Sequence, residues 1–142
     1  MSMDNNCLYC AKGTKLQELM VKVCDMETST LYLFKEQTYK GRCVLAFNGH
    51  KKELFELTAD EQVKYMRDVC RATKAMQKAF QPDNINYGAF ADNLPHFHFH
   101  LVPKYEGGPE WYSIFKMSPE PKVLLREEEY AVRVKLIRDC ME

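Results

Sequence analysis

The stretch HFHFHLVP at positions 96–103 constrains the fold more than any other part of the sequence. Successive side chains of a β-strand point to opposite faces, so a strand would place His96, His98 and His100 on one face, spaced about 7 Å from one to the next. The intervening apolar residues would then face a core. A helix would scatter the three imidazoles around its axis, so the alternation predicts a strand. Pro103 is expected to end it.

Three imidazoles on one face, backed by bulky apolar side chains, indicate a chemical task rather than packing alone. Neutral imidazoles bind divalent metals. A single imidazole can instead act as a nucleophile or a general base, held in place by its neighbours. Both possibilities are open from the repeat alone.

The length of 142 residues predicts a single domain spanning residues 1–142. Lys and Arg number 20, and so do Asp and Glu. The zero net charge predicts no general attraction to nucleic acid or to anionic membranes. No apolar run has transmembrane length and residues 1–6 are polar, so we expect no membrane association and a cytoplasmic location. In that compartment the six cysteines are expected to be thiols or metal ligands.

The remaining hydrophobic patterns predict an α+β fold, with an antiparallel sheet of about five strands. The strand before the triad is expected to pair antiparallel with it, which brings their connecting loop near the histidines. The four further strands are predicted at 19–24, 30–34, 42–47 and 85–90.

Two helices are predicted, one long and central, the other at the C-terminus. A capping box at Thr58 and Glu61 predicts the start of the first, which runs to about Phe80. Its predicted core stripe is Val63, Met66, Val69, Thr73, Met76 and Phe80. The second is predicted over 126–140. Its predicted core side is Tyr130, Val134, Ile137 and Met141.

Two arrangements of ligand-type residues are compatible with the sequence. In the first, one triad histidine joins Cys7, Cys10 and His50 in a closed tetrahedral zinc site, which leaves the other two histidines for chemistry. In the second, the triad histidines bind one catalytic metal. Three same-face positions span about 13 Å, however, and ligands must lie about 2 Å from the ion. The first arrangement gives both cysteines and all four histidines a role.

The triad stretch resembles the signature of the histidine triad (HIT) family, His-φ-His-φ-His-φ-φ, in which φ is apolar. The flanking Leu94-Pro95 and Pro103-Lys104 resemble it too. So does the order of C-x-x-C, a strand ending in Gly-His, Leu-Thr before a long helix, and then the triad. The resemblance covers a motif-bearing core of about residues 7–105 and leaves a C-terminal extension at 106–142. It is closest to small bacterial members with a zinc site, and it implies a HIT-like fold and a homodimer.

The resemblance implies different roles for the three histidines. His98 would be the nucleophile that attacks the α-phosphate of a nucleoside monophosphate derivative, such as a dinucleoside polyphosphate or a phosphoramidate. A nucleotidyl-histidine intermediate would follow. His100 would bond an oxygen of the transferring phosphate. The implied ligands of a structural zinc are Cys7, Cys10, His50 and His96.

The sequence departs from the family pattern around the substrate. Ala91, Asp92 and Asn93 stand where many members have Gly-Gln or Gly-Asn followed by Ser or Thr. Asn93 can still donate to a phosphate or leaving group. Glu36 is a candidate acceptor for ribose hydroxyls, and Lys104 stands where arginine is common.

Two other functions are compatible with the residues. One is a nucleotide-binding regulatory module with little turnover. The other is a metal-dependent hydrolase that uses the histidines as ligands. Trp111 is a candidate either for contact with a nucleotide in a dimer mate or for the core.

Overall fold

The structure is a computed structural model that describes residues 6–142, so the first five residues of the polar start lie outside the described part. Its elements are α1 (Leu8–Ala11), α2 (Thr14–Leu19), β1 (Met20–Asp25), β2 (Ser29–Phe34), β3 (Cys43–Phe47), a 3₁₀ turn (Leu54–Glu56), α3 (Ala59–Phe80), β4 (Asn84–Gly88), β5 (His98–Lys104) and α4 (Glu127–Cys140). Within residues 6–142, no helix is long and apolar enough to cross a bilayer.

The five strands form one antiparallel sheet in the order β1-β2-β3-β5-β4. This confirms the predicted α+β fold with a long central helix and a C-terminal helix. Strand β5 carries His98 and His100 and lies between β3 and β4, with Ala46 opposite His98 and Val44 opposite His100. The predicted start of the strand at His96 is wrong, because His96 lies two residues before β5. His98 and His100 therefore lie in an interior strand of the sheet, where the backbone is held from both sides.

The two faces of the sheet have different coverings. Helices α3 and α4 cover one face, and the main core between them includes Phe97 and Leu101, as the alternation predicts. On the other face, the short N-terminal helices contribute Tyr9 and Leu16 to a smaller apolar cluster. The ring of Tyr9 contacts those of His96 and His98, with centroids 5.2 and 5.0 Å apart, so the triad faces this second side.

The capping box of α3 is confirmed. Thr58 Oγ1 accepts from the amide of Glu61 at 3.1 Å, and Glu61 Oε1 accepts from the amide of Thr58 at 2.8 Å. The predicted core stripe is correct only in its C-terminal part, because Val63 and Met66 are 51% and 39% exposed. The buried residues of α3 are Tyr65, Asp68, Val69, Ala72, Thr73, Ala75, Met76 and Phe80.

Two buried polar residues of α3 explain why the predicted core stripe is wrong in the N-terminal part of the helix. Tyr65 donates its hydroxyl to the carbonyl of Leu45 at 2.7 Å. Asp68 accepts from the amides and hydroxyls of the β1–β2 turn, including the hydroxyl of Ser29 at 2.7 Å. Satisfied hydrogen bonds let these two polar side chains be buried where an apolar pattern cannot predict them.

The predicted end of the triad strand is wrong. Strand β5 continues through Pro103 to Lys104. Proline lacks a backbone donor, but its nitrogen faces the β3 side of the strand, beyond the last β3 pair of Cys43 with Leu101. On that side β5 is an edge, where proline is tolerated. The C-terminal helix is correct: Tyr130, Val134 and Ile137 are buried, and Met141 packs partly buried against the core.

Candidate functional site

The antiparallel pairing of β3 and β5 brings distant ligand-type residues to one end of the sheet. His50 follows the end of β3, and His96 precedes the start of β5. Cys7 is the N-cap of α1, and Cys10 lies within the same helical turn. The helix packs over this end of the sheet through Tyr9, so both thiols lie close to the two imidazoles.

Cys7, Cys10, His50 and His96 form a compact group. Nδ1 of His96 lies 3.4 Å from Cys7 Sγ, 3.5 Å from Cys10 Sγ and 3.3 Å from His50 Nδ1. Cys10 Sγ is 3.4 Å from His50 Nδ1. Bonds of about 2.0–2.3 Å around a tetrahedral ion place neighbouring ligand atoms about 3.3–3.8 Å apart. The spacing of the four residues therefore fits a single metal ion.

The orientation of His96 supports the same assignment. Its Nε2 is 2.6 Å from the carbonyl of Phe47, which fixes the proton there and leaves Nδ1 free as a ligand. Burial lowers the pKa of His96 and raises that of the Cys7 thiol. Among residues 6–142, no second group of three or more Cys, His, Asp or Glu is close enough to hold an ion, which disfavours the all-triad arrangement.

His98 is buried and has a defined tautomer. Its Nδ1 lies 2.7 Å from the backbone carbonyl of His96. A carbonyl can only accept, so Nδ1 carries the proton and Nε2 carries the lone pair. Burial lowers the pKa of His98, which favours the neutral ring. Within the described part of the chain, no group pairs with its Nε2.

His100 has a partner that the sequence pattern did not reveal. Its ring lies 5.1 Å from that of His98, and its Nδ1 is 3.1 Å from Nη2 of Arg42. Burial and the guanidinium lower the pKa of His100 to about 3. Arg42 was predicted only as the start of an apolar strand. The signal available in the sequence was a single charged residue directly before the five uncharged residues Cys43–Phe47. The structure buries all five of them in β3.

A cavity of about 490 Å³ opens in front of the two histidines. This is the volume range of small-ligand sites. Its polar lining is Asp92, Asn93, His98, His100 and Ser118. Its apolar and aromatic lining is Tyr9, Leu19, Met20, Phe34, Phe90, Leu94, Ile114, Phe115 and Met117. A flat apolar group, with a phosphate directed at the histidines, suits such a lining.

Glu36 and Lys104 do not line this cavity. The carboxylate of Glu36 accepts from the hydroxyl of Thr38 at 2.6 Å and from the amide of Val123 at 2.8 Å. The ammonium of Lys104 donates to the carbonyls of Glu110 and Ser113, both at 2.7 Å. The structure therefore uses both side chains to hold the C-terminal extension against the sheet.

A larger groove of about 910 Å³ follows the outer edge of β4 and contains Trp111. No triad histidine lines it. The indole Nε1 of Trp111 is buried and has no hydrogen-bond partner in residues 6–142. We place the candidate site at the 490 Å³ cavity, because it is lined by both His98 and His100, whereas a smaller cavity of about 290 Å³ is lined by His98 but not by His100.

Comparisons with known proteins agree with the fold and with the triad. A family model described as the HIT domain matches residues 16–107, a range that includes all five strands and α3. Protein hit of Bacillus subtilis (strain 168) is 25% identical over 121 residues, which cover 82% of this chain and 83% of that protein.

Solved structures give the same result. A histidine triad protein from Bradyrhizobium japonicum superposes with a TM-score of 0.82 at 18% identity, covering 92% of this chain and 96% of that one. A Zn-bound histidine triad family protein from Mycobacterium smegmatis superposes with a TM-score of 0.65 at 17% identity, covering 94% of each chain. These likenesses support the fold.

Proposed function

The chain belongs to the HIT domain family, and on that premise we propose that it is a nucleotide hydrolase or nucleotidyl transferase. The proposed reaction cleaves a dinucleoside polyphosphate or a nucleoside phosphoramidate at the α-phosphate. His98 is the proposed nucleophile. The observation that carries the proposal is the hydrogen bond from His98 Nδ1 to the carbonyl of His96, because it directs the lone pair of Nε2 away from the backbone.

In the first step, Nε2 of His98 attacks the α-phosphorus. A nitrogen–phosphorus bond forms, and the bond from phosphorus to the leaving oxygen or nitrogen breaks. The leaving group departs with that electron pair and takes up a proton from water in the open cavity. The imidazole becomes cationic, and its Nδ1–H stays bonded to the carbonyl of His96, which stabilises the charge.

In the second step, water attacks the phosphorus of the nucleotidyl-histidine. The nitrogen–phosphorus bond breaks, the electron pair returns to Nε2, and the attacking water loses a proton to solvent, which restores the proton taken up by the leaving group in the first step. The products are a nucleoside monophosphate and the neutral enzyme. Another acceptor hydroxyl in place of water would make the reaction a transfer.

His100 and Asn93 are the proposed donors to the phosphoryl oxygens. Both line the cavity with His98. Fixed donors stabilise charge as it shifts from phosphorus to the leaving group. Asn93 is exposed on the loop before the triad, so its contribution is expected to be the smaller.

Cys7, Cys10, His50 and His96 are the proposed ligands of a structural zinc ion. Two thiolates and two imidazoles complete a tetrahedral set, so the ion would stabilise this end of the fold rather than activate water. The Zn-bound relative from Mycobacterium smegmatis supports that choice of metal. The ligand His96 also supplies the carbonyl that orients His98.

We also propose that the protein is a cytoplasmic homodimer with no nucleic-acid partner. The outer edge of β4 has no neighbouring strand in residues 6–142. The nearby side chains of Tyr112 and Ile114 are 93% and 78% exposed. A second copy of the chain would cover this edge. Sedimentation equilibrium tests this directly, and a monomer at micromolar concentration would contradict it.

The decisive experiment compares the wild type with His98→Ala. We expect the wild type to release nucleoside monophosphate, and the variant to lose at least about 10³-fold in kcat. Zinc content and far-ultraviolet circular dichroism of the variant should match the wild type. Loss of metal in His98→Ala would favour a metal-dependent hydrolase, and nucleotide binding without turnover in the wild type would favour a regulatory module.

A further inference from the structure

Arg42 is a buried cation that no carboxylate in residues 6–142 contacts, although the charge of Glu36 acts on it from beyond ion-pair distance. Its side chain is 0% exposed, and no ion pair joins it to an acid anywhere in residues 6–142. Its Nε has no hydrogen-bond partner there either. Burying a charge without a partner is costly, so such a residue points to a function that maintains it.

The surroundings of Arg42 fix where its guanidinium lies. The group packs against the rings of Phe34 and Phe115, with Cζ 4.4 and 5.3 Å from their centroids. Nη1 donates to the carbonyl of Lys116 at 3.3 Å. The two aromatic faces hold the plane of the guanidinium and direct Nη2 at Nδ1 of His100, 3.1 Å away.

The chemistry of arginine makes that contact directional. A guanidinium has five donors and no acceptor, and it stays protonated in proteins. The 3.1 Å contact therefore requires a lone pair on Nδ1 of His100. A neutral imidazole with its lone pair on Nδ1 carries its only proton on Nε2.

We propose that Arg42 is a positioning residue that locks His100 in the neutral Nε2–H tautomer, so that His100 presents a hydrogen-bond donor to the oxygens of the transferring phosphate. The role of that donor rests on the proposed function, whereas the tautomer does not. His98 is locked in the opposite tautomer by a backbone carbonyl. Two neighbouring imidazoles of one strand therefore offer one lone pair and one N–H to the same cavity.

The groups that face His100 favour this assignment. Arg42 approaches from the position just before β3, and His98 lies on the same strand as His100. Phe34 and Phe115 contribute only aromatic contacts. No carboxylate of residues 6–142 bonds to the ring, so nothing opposes the guanidinium. A cation at this distance disfavours a second proton on His100.

The test is a nitrogen-15 NMR spectrum of histidine side chains in the wild-type protein, with His100 assigned by its absence in His100→Gln. We expect a pyridine-type shift at Nδ1 and a pyrrole-type shift at Nε2, unchanged between about pH 5 and 8. A pyrrole-type Nδ1 would overturn the proposal. This measurement needs no change at Arg42, so it decides the tautomer even if a variant there does not fold.

Arg42→Met tests the cause of the tautomer. It removes the charge and the donor but keeps an unbranched apolar side chain. We expect averaged tautomer shifts at His100 and a drop of about tenfold in kcat with little change in KM. The control is Arg67→Met, at an exposed position of α3, which should match the wild type in both readouts. Unchanged His100 shifts in Arg42→Met would overturn the proposal.

The two failures are distinguishable. A wild type that shows the Nε2–H tautomer but releases no nucleoside monophosphate would refute the proposed function and support the locking role of Arg42. A wild type that turns over substrate with His100 in the Nδ1–H tautomer would do the reverse.

Discussion

The two ends of the histidine triad carry the same residue in very different settings. At one end, His96 lies among two thiols and another imidazole, all within the distances that one metal ion spans. At the other end, His100 lies beside a buried guanidinium and two aromatic rings. The strand supplies only the spacing. The partners from other elements decide whether an imidazole offers a lone pair to a metal or a proton to a substrate.

His98 lies between these ends and depends on the first more directly. Its Nδ1 bonds to the carbonyl of His96, so the metal-site end orients the proposed nucleophile through the backbone. The arginine end affects only the neighbouring donor. We therefore expect substitutions at the metal-site end to lower the free energy of unfolding, and substitutions at the arginine end to lower the rate of turnover.

Cys10→Ser should produce the largest effect. Loss of one ligand should remove stoichiometric zinc and lower the free energy of unfolding by about 4 kcal/mol, because metal binding contributes directly to folding. Metal content by mass spectrometry and urea unfolding test this. Cys70→Ser, at an exposed thiol of α3, is the control and should change neither quantity. Full zinc occupancy in Cys10→Ser would contradict the proposed ligand set.

His100→Ala should come next, with its effect on rate rather than on stability. Removing one fixed donor is expected to lower kcat/KM about 100-fold, equivalent to about 2.7 kcal/mol. Zinc content should stay at the wild-type level. His100→Gln keeps an N–H donor and should recover part of the loss. Equal activity of His100→Ala and the wild type would remove His100 from the reaction.

Acid should lower the free energy of unfolding through His100, and only within a defined range of pH. The pKa of His100 falls from 6.5 when unfolded to about 3 when folded, so the unfolded chain binds more protons between these values. The contribution of His100 to the free energy of unfolding is at its full value above pH 6.5 and is lost as the pH falls toward 3. One histidine contributes a slope of at most about 1.4 kcal/mol per pH unit.

Urea unfolding of the wild type and of His100→Gln at several pH values tests this slope. Both proteins share the metal site and the carboxylates, so those contributions cancel in the difference. The variant should lose less stability on acidification. Parallel curves for the two proteins would show that His100 is not kept neutral by its surroundings.

Asn93→Ala should have the smallest effect. The side chain is exposed on the loop that lines the cavity, and a single exposed donor contributes about 1 kcal/mol. We expect kcat/KM to fall about fivefold, with no change in zinc content or stability. Gln17→Ala, which removes an exposed side-chain amide from α2, is the control. A loss as large as that of His100→Ala would make Asn93 a principal donor.

Features with a local physical signal could be predicted from the sequence. The alternation at 96–103 predicted the triad strand, and the hydroxyl and carboxylate at Thr58 and Glu61 predicted the start of α3. The C-x-x-C pair, taken with His50 and the triad, predicted a group of four that the structure does bring together.

Features that depend on a partner far away in sequence could not be predicted. Asp68 is buried because the β1–β2 turn supplies its donors, so the helix pattern placed the wrong residues in the core. Pro103 is compatible with β5 because no residue of β3 pairs opposite it; the last pair on that side is Cys43 with Leu101. The register of β3 and β5 brings Arg42 close to His100, and two aromatic rings hold its guanidinium there. None of these contacts produces a recognisable sequence motif.

The central claim is that His98 forms a covalent bond to the nucleotide, and trapping that bond tests it most directly. The protein is mixed with a nucleoside phosphoramidate or a dinucleoside polyphosphate, quenched with base within milliseconds, digested and analysed by mass spectrometry. We predict one nucleoside monophosphate unit on the peptide that contains His98, and none in His98→Ala. Turnover at the wild-type rate by His98→Ala, or a nucleotide attached to a different residue, would contradict the claim.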